Sequence, residues 1–269
     1  MRIGIIGCAG RMGRSNLREV LTTPGAVLAG GVERPGHAAL GQDLGTLAGL
    51  EPIGLAATDN VAALIAASQV VVEFSVPEAT LANAALCAEH GCAHVIGTTG
   101  LNDEQTRELR RLAERAAIVW APNMSVGVNL LLGLVEQVAR TLDPGFDIEI
   151  LEMHHRHKVD APSGTALALG RAAARGREVE LARVAARARD GITGARPAGE
   201  IGFAVLRGGD VVGDHRVVFA GLGERLELAH IATDRRIYSA GAIRAALWVA
   251  AQPPGLYGMA EVLGLRSAG

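Results

Sequence analysis

The chain has 269 residues, 49% hydrophobic and only 3% aromatic, and a formal net charge of −2 from 26 Lys+Arg against 28 Asp+Glu. That length predicts one or two domains with cores of Ala, Val, Leu and Ile, and the balanced charge excludes a general nucleic-acid binder. No stretch offers the roughly 20 apolar residues of a membrane helix, no signal-peptide pattern opens the sequence, and Cys8, Cys87 and Cys92 form neither a zinc pattern nor a disulfide framework, so a cytoplasmic protein without a membrane partner is expected.

In chain order, Ile3–Ile6 reads as a buried strand ending in a glycine turn, followed by a helix from Arg11 to Leu21 and a second strand from Ala26 to Val32. Residues 36–55 are glycine-rich and weakly patterned, with room for one helical turn. Asn60–Ala67 predicts a short helix and Val70–Phe74 a strand of β-branched residues. Pro77 occupies a first helical position and opens a helix to about His90. Ala93–Gly97 is the next strand. Asn102, with Gln105 three residues on, caps a helix to about Arg115, and Ile118–Ala121 is another strand. Strands alternating with helices at this spacing predict a parallel α/β sheet up to about residue 125. A long apolar helix, Val126–Arg140, then leads to a strand at Phe146–Met153 and a helix at Ser163–Ala174. Residues 175–200 read as irregular or exposed. Strands at Glu200–Leu206, Asp214–Ala220 and Glu224–Ala232 follow without intervening helices, which suggests an α+β second domain. A helix at Tyr238–Ala251 is stopped by Pro253-Pro254-Gly255.

The turn Gly7-Cys8-Ala9-Gly10-Arg11-Met12-Gly13 lies between a strand and a helix. Glycines there let backbone approach a pyrophosphate, and the helix start supplies N–H groups and positive potential. The spacing G-x-x-G-x-x-G is shared by plain tight turns. Glu33, about 20 residues further at the end of the second strand, stands where an acid binds ribose hydroxyls. Arg34 beside it could meet a 2′-phosphate or remain a solvated charge. The pair suggests use of NADH, NADPH or both. Gly97-Thr98-Thr99-Gly100 and Ala121-Pro122-Asn123-Met124 fall at later strand ends, where open parallel sheets place their ligands. Cys8 reads best as a small packed residue within the turn.

The run Glu152-Met153-His154-His155-Arg156-His157-Lys158-Val159-Asp160-Ala161-Pro162-Ser163-Gly164-Thr165 concentrates three histidines and two strong cations before a helix start. A solvated charged face and a zinc site are the plainer alternatives. Adjacent histidines on an extended chain point to opposite sides, and Lys158 would repel a metal ion, so no metal is expected. The remaining reading is a pocket for a small molecule with more than one carboxylate, equipped with a proton donor. Two other functions stay open: a non-catalytic dinucleotide sensor, and a reductase or dehydrogenase of a different substrate, for which nucleophilic cysteine catalysis lacks support because no cysteine lies near the histidines in sequence.

These residues resemble the 4-hydroxy-tetrahydrodipicolinate reductase (dihydrodipicolinate reductase) family. The resemblance rests on Glu152–Thr165, and extends to Gly7–Gly13, Glu33-Arg34, Gly97–Gly100, Asn123–Asn129 and Gly199–Phe203. It implies a Rossmann-like doubly wound parallel sheet plus a second α+β domain with a mixed or antiparallel sheet. The dinucleotide domain would comprise residues 1–125 and 239–269, and the substrate-binding and oligomerisation domain residues 126–238. The implied activity is NADH- or NADPH-dependent reduction of a cyclic imine dicarboxylate in diaminopimelate and lysine biosynthesis, by a cytoplasmic homotetramer. By position, the resemblance makes His154 the acid/base residue and Lys158 the proton donor, with His155, Gly164 and Thr165 on the substrate carboxylates. Gly7, Cys8, Ala9, Gly10, Arg11, Met12, Glu33, Arg34, Gly97, Thr98, Thr99, Ala121, Pro122, Asn123 and Met124 would bind the cofactor. Met124 departs from an aromatic common in the family, and residues 175–198 match it least.

Overall fold

The computed structural model describes residues 1–265. They fall into two compact units, Met1–Val126 with Arg236–Gly264, and a second centred on Gly127–Arg235. Among the described residues no helix is long and apolar enough to cross a membrane.

The first unit alternates strand and helix: β1 (Arg2–Ile6), α1 (Arg11–Thr22), β2 (Val27–Val32), α2 (Leu44–Leu47), α3 (Val61–Ala67), β3 (Val70–Glu73), α4 (Pro77–His90), β4 (Ala93–Ile96), α5 (Asp103–Ala113) and β5 (Ala117–Trp120). The predicted helix starts at Pro77 and Asn102 are present, and Gly91 adds a stop the sequence reading did not name. Pro77 opens α4, Gly91 closes it in the left-handed region, and Asn102 and Gln105 form a reciprocal capping box on α5. The weakly patterned stretch before β3 is organised by one side chain. The Asp43 carboxylate accepts N–H bonds from Gly45, Thr46, Ile53, Gly54 and Leu55.

The second unit follows with α6 (Val126–Thr141), β6 (Asp147–His154), α7 (Gly164–Gly176), α8 (Leu181–Val184), β7 (Ala185–Ala186), β8 (Ile201–Arg207), β9 (Gly213–Ala220) and β10 (Arg225–Ala232). The chain then returns to the first unit through α9 (Arg236–Val249), β11 (Gly255–Tyr257) and α10 (Met259–Val262).

The first sheet has the order β11-β5-β4-β3-β1-β2, with every pair parallel. Alternate residues of its strands enter different cores, as a period of two requires. Ile3, Ile5, Val70, Val72, Val95 and Val119 pack with Leu17, Val20 and the α9 residues Ala242, Ile243, Ala246 and Val249. On the other face, Ile6 and Val71 meet Leu64, Ile65 and Cys87, while Ile96 and Ile118 meet Ala84, Leu109 and Leu112. Helices on both faces make the sheet doubly wound. Strand order reverses between β1 and β3, so the crevice for a ligand opens at their carboxyl ends.

The second sheet runs β10-β9-β6-β8-β7 and is mixed: β8 is parallel to β6, and β9 is antiparallel to it. Ile148, Ile150, Ile201, Phe203, Val217 and Phe219 pack one face against α6 and α7 through Leu131, Val135, Leu169 and Ala173. The opposite face carries Leu151, Leu206 and Ile231, all exposed.

Two segments differ from expectation. After Pro253-Pro254 the chain does not merely stop a helix: β11 pairs with β5 as an edge strand. The stretch after α7, read as irregular, contains α8 and the short β7, which pairs with β8. The loop beyond it is pinned by Arg189 and Arg196, which bind Glu149 at 2.9 Å each, Arg196 reaching Asp147 as well.

Candidate active site

In the first unit, Gly7 takes φ +72, which admits glycine at little cost. Its N–H and that of Cys8 both donate to the Val32 carbonyl, at 2.9 and 3.0 Å. The Cys8 side chain is wholly buried, and burial, with the nearby Glu33 charge, pushes its thiol up to about 11. Cys8 therefore offers a ligand neither its thiol nor its amide, and the expected contact with cofactor is not supplied by either group. The anion site lies one turn further on. Gly10 is the N-cap of α1 and has no capping side chain. The amides of Arg11, Met12 and Gly13 are those that a first helical turn leaves without intrahelical partners. Gly13 lies so close to the turn that a Cβ there would run into the Gly7 carbonyl oxygen. Glu33 closes the site: its carboxylate accepts from Ala9 N–H (3.2 Å) and Arg34 N–H (3.1 Å). These features fit a dinucleotide, with open amides for a pyrophosphate and an acid at the end of β2 for a ribose.

The later strand ends divide into surface and support. Thr99 and Pro122 are exposed. A Cβ on Gly97 would collide with the Phe74 ring. Thr98 is buried. Its hydroxyl accepts from Ser75 N–H and Thr80, and its carbonyl accepts from Trp120 Nε1. Ala121 is buried, its N–H donating to Ile96. The Asn123 side chain accepts from Ser125 N–H at 2.9 Å. Met124 is 1% exposed within the core, so its side chain, like that of Thr98, supports the sheet rather than presenting a surface. Beneath β3 and β4 lies a polar cluster that the sequence did not reveal. Glu73 and His94, both fully buried, are 2.9 Å apart, and Asn83 and Ser75 complete the carboxylate's bonds.

In the second unit, the period of two along β6 puts Glu152 and His154 on the face already occupied by Ile148 and Ile150. Register brings in two partners distant in sequence. His215 on β9 pairs with Glu152, and Arg207 on β8 pairs with His154. The Glu152 carboxylate, 1% exposed, accepts four bonds: from Arg207 Nη1 (2.8 Å) and Nη2 (2.9 Å), from Ser163 N–H (3.0 Å), and at 2.6 Å from His154 Nδ1. Burial works to raise this carboxyl, but Arg207, His154 and the Ser163 amide together hold it below the ordinary carboxylate range.

His154 is 12% exposed, with its ring edge-on to His215 at 5.0 Å. Burial, then the charge of His154, push His215 down to about 4, and its Nε2 lies 3.1 Å from Ser163 Oγ. That hydroxyl also caps α7 by accepting from Ala166 N–H. Gly164, the first residue of α7, is exposed, and a Cβ there would meet nothing within 4 Å. Thr165 follows on the same turn. Lys158 Nζ donates to Asp160 at 2.7 Å, and the Asp160 carbonyl accepts from Arg207. His155 lies 3.5 Å from Arg235. Burial, with Arg235, His154, His157 and Lys158, keeps its imidazole below the usual histidine value.

The structure thus brings His154, Lys158 and the start of α7 onto one network, each within a bond or two of Glu152 or Arg207. Glu152 stood in the motif without an assigned role, although a lone acid on an otherwise apolar strand face is a readable sign of a buried, partnered carboxylate. Arg207 and His215 join only through strand pairing. All three cysteines lie buried in the first unit, which leaves no thiol for a nucleophile among the histidines. Among the described residues no group of His, Cys, Asp or Glu is placed to hold a metal ion.

The profiles "Dihydrodipicolinate reductase, N-terminus" and "Dihydrodipicolinate reductase, C-terminus" match residues 1–124 and 127–263. The chain belongs to the dihydrodipicolinate reductase family. Among its relatives, the 4-hydroxy-tetrahydrodipicolinate reductase of Rhodopseudomonas palustris (strain BisB18) is 58% identical over 98% of both chains. That of Parvibaculum lavamentivorans is 58% identical over 99% of this chain and 98% of its own. A dipicolinate-bound dihydrodipicolinate reductase from Paenisporosarcina sp. TG-14 superposes with a TM-score of 0.78 at 25% identity, covering 97% of this chain and 98% of its own.

Proposed function

We propose that this family member reduces 4-hydroxy-tetrahydrodipicolinate to tetrahydrodipicolinate in diaminopimelate and lysine biosynthesis. The observation that carries the reading is the gathering of an imidazole, an ammonium and a helix N-terminus around one end of β6. The reaction adds a hydride and a proton to a cyclic dicarboxylate and releases water. A reduced nicotinamide supplies the hydride when bound. The chain's own residues do the rest. Gly10, Arg11 and Met12 hold the pyrophosphate on the first turn of α1, Glu33 the adenosine ribose, and Arg34 a 2′-phosphate when one is present, so both NADH and NADPH serve. Gly97, Thr99, Pro122 and Asn123 border the remaining strand ends.

In the second unit the Gly164 and Thr165 amides and His155 hold the substrate carboxylates, a use suited to a helix start and a cation-rich surface. Lys158 delivers the proton once an anionic ligand draws its ammonium from Asp160. His154 Nε2 acts as the acid/base group at the reacting ring. The cationic surroundings stabilise electron density left by hydride addition. The assembly is a cytoplasmic homotetramer built through the second unit; the exposed apolar face of that unit's sheet and the three free, buried cysteines support this placement.

The test is loss of reduced-nicotinamide absorbance with the fresh condensation product of pyruvate and aspartate semialdehyde, using NADH and NADPH in turn. Product-dependent oxidation is expected with both. Binding of cofactor without oxidation would favour a sensor or another substrate. His154→Ala and Lys158→Ala should each lower turnover by about 10²–10⁴-fold, the usual worth of a positioned acid or base, with cofactor affinity unchanged. Loss of cofactor affinity would overturn the division of labour between the units.

A further inference from the structure

We infer that Glu152 is a positioning residue of the site: it fixes the tautomer of His154, so that Nε2 is the ring nitrogen that exchanges protons, and it sets the start of α7 with the same carboxylate. The inference rests on the reading of His154 as the acid/base group.

The argument begins with saturation. An ionised carboxylate offers only acceptors, about four lone-pair sites in all. Glu152 uses four: Oε1 accepts from Ser163 N–H and Arg207 Nη2, and Oε2 accepts from Arg207 Nη1 and His154 Nδ1. The bidentate Arg207 fork keeps the group ionised although it is buried. Nδ1 of His154 must therefore be the donor, in the neutral ring as in the charged one. The proton that comes and goes belongs to Nε2. That atom points where residue 213 has no side chain: a Cβ on Gly213 would lie 2.9 Å from it. His215, edge-on beside the ring and held neutral by its surroundings, adds no competing charge near neutrality. Arg207 extends the network by binding the Asp160 carbonyl, on the residue whose carboxylate holds Lys158. One buried carboxylate thus orients the imidazole and anchors the helix start, and its counter-ion holds the loop that carries the ammonium.

The first measurement needs no variant. Long-range ¹H–¹⁵N spectra of the histidine-labelled enzyme should show neutral His154 protonated at Nδ1. An Nε2-protonated ring would overturn the inference. In Glu152→Gln the tautomers should mix, and kcat should fall by on the order of 10²-fold, within the range of what an acid/base group contributes, with the KM for dinucleotide unchanged. Glu152→Gln/His154→Ala should be slowed by far less than the product of the two single effects, because residues acting as one unit do not add and the amide oxygen introduced by Glu152→Gln can still accept from Ser163 N–H. A double variant slowed by the product of the two single effects would mean that Glu152 supports only the fold, and would overturn the proposal. Full turnover in His154→Ala would bring down the acid/base reading and the positioning role with it. The wild-type tautomer separates the two failures.

Discussion

His215 and His155 are both held below the ordinary histidine value, and the two shifts have different consequences. His215 is buried in the folded protein, and burial and the His154 charge lower it to about 4. An unfolded chain's histidine takes up a proton near pH 6.5. Between those values the unfolded state binds a proton that the native state refuses. Stability is thus complete above about pH 6.5, falls as pH drops through the window, and by about pH 4 has lost roughly 3 kcal/mol. Urea denaturation across the window should show this slope, and His215→Gln should flatten it; an unchanged slope would refute the assignment. His155 lies at the surface of the site, where burial, Arg235, His154, His157 and Lys158 disfavour its charged form. A dicarboxylate ligand reverses that balance of charge, so its binding should draw in a proton near neutral pH. Calorimetry of dipicolinate binding in two buffers of different ionisation enthalpy measures the uptake, which should disappear in His155→Gln.

At the scale of elements, the candidate site residues of each unit depend on where a helix begins. The first turn of α1 is usable only because Gly13 lets it approach β1. In Gly13→Ala the new methyl would meet the Gly7 carbonyl and lie 2.8 Å from Cys8 Cα, so the helix must retreat with its Arg11 and Met12 amides. Dinucleotide affinity should fall at least about tenfold, equivalent to about 1.4 kcal/mol, while dipicolinate still binds. Equal dinucleotide affinity in fluorescence titration would count against the cradle. Much of this was legible in sequence: Pro77, the Asn102–Gln105 box and the β-branched Val70–Val72 run declare local structure by local chemistry. The three-residue β11 did not declare itself, because a strand that short carries no period and follows two prolines. Glu152 and His154 were legible as types and as neighbours on one strand face. Arg207 and His215 were not, because only the register of β6 with β8 and β9 brings them to the carboxylate. Cys8, Thr98 and Met124 sit in the expected segments, but their side chains turn inward, which a motif does not specify.

For the molecule as a whole, the outer face of the second sheet calls for a cover. Leu206 is 47% and Ile231 64% exposed, and with Leu151, Met153 and Ala229 they line one groove, edged by Asp214, His215 and Arg216. Exposed apolar side chains grouped in this way favour the proposed interface. The proposed homotetramer should appear in sedimentation velocity, and Leu206→Asp with Ile231→Asp should dissociate it; a wild-type monomer would refute the assembly.

The first unit is also split in sequence, and synthesis runs in one direction. The first 126 residues leave the ribosome without Ala242, Ile243, Ala246 and Val249, the α9 residues that cover one face of their sheet. That face, with Leu17 and Val20 of α1 against it, stays incompletely covered while Gly127–Arg235 is translated, a lag on the order of ten seconds at ordinary elongation rates. The second unit, drawn almost wholly from Gly127–Arg235, can close in that interval. The part of the protein made first, with five of the six strands of its sheet, is therefore finished last.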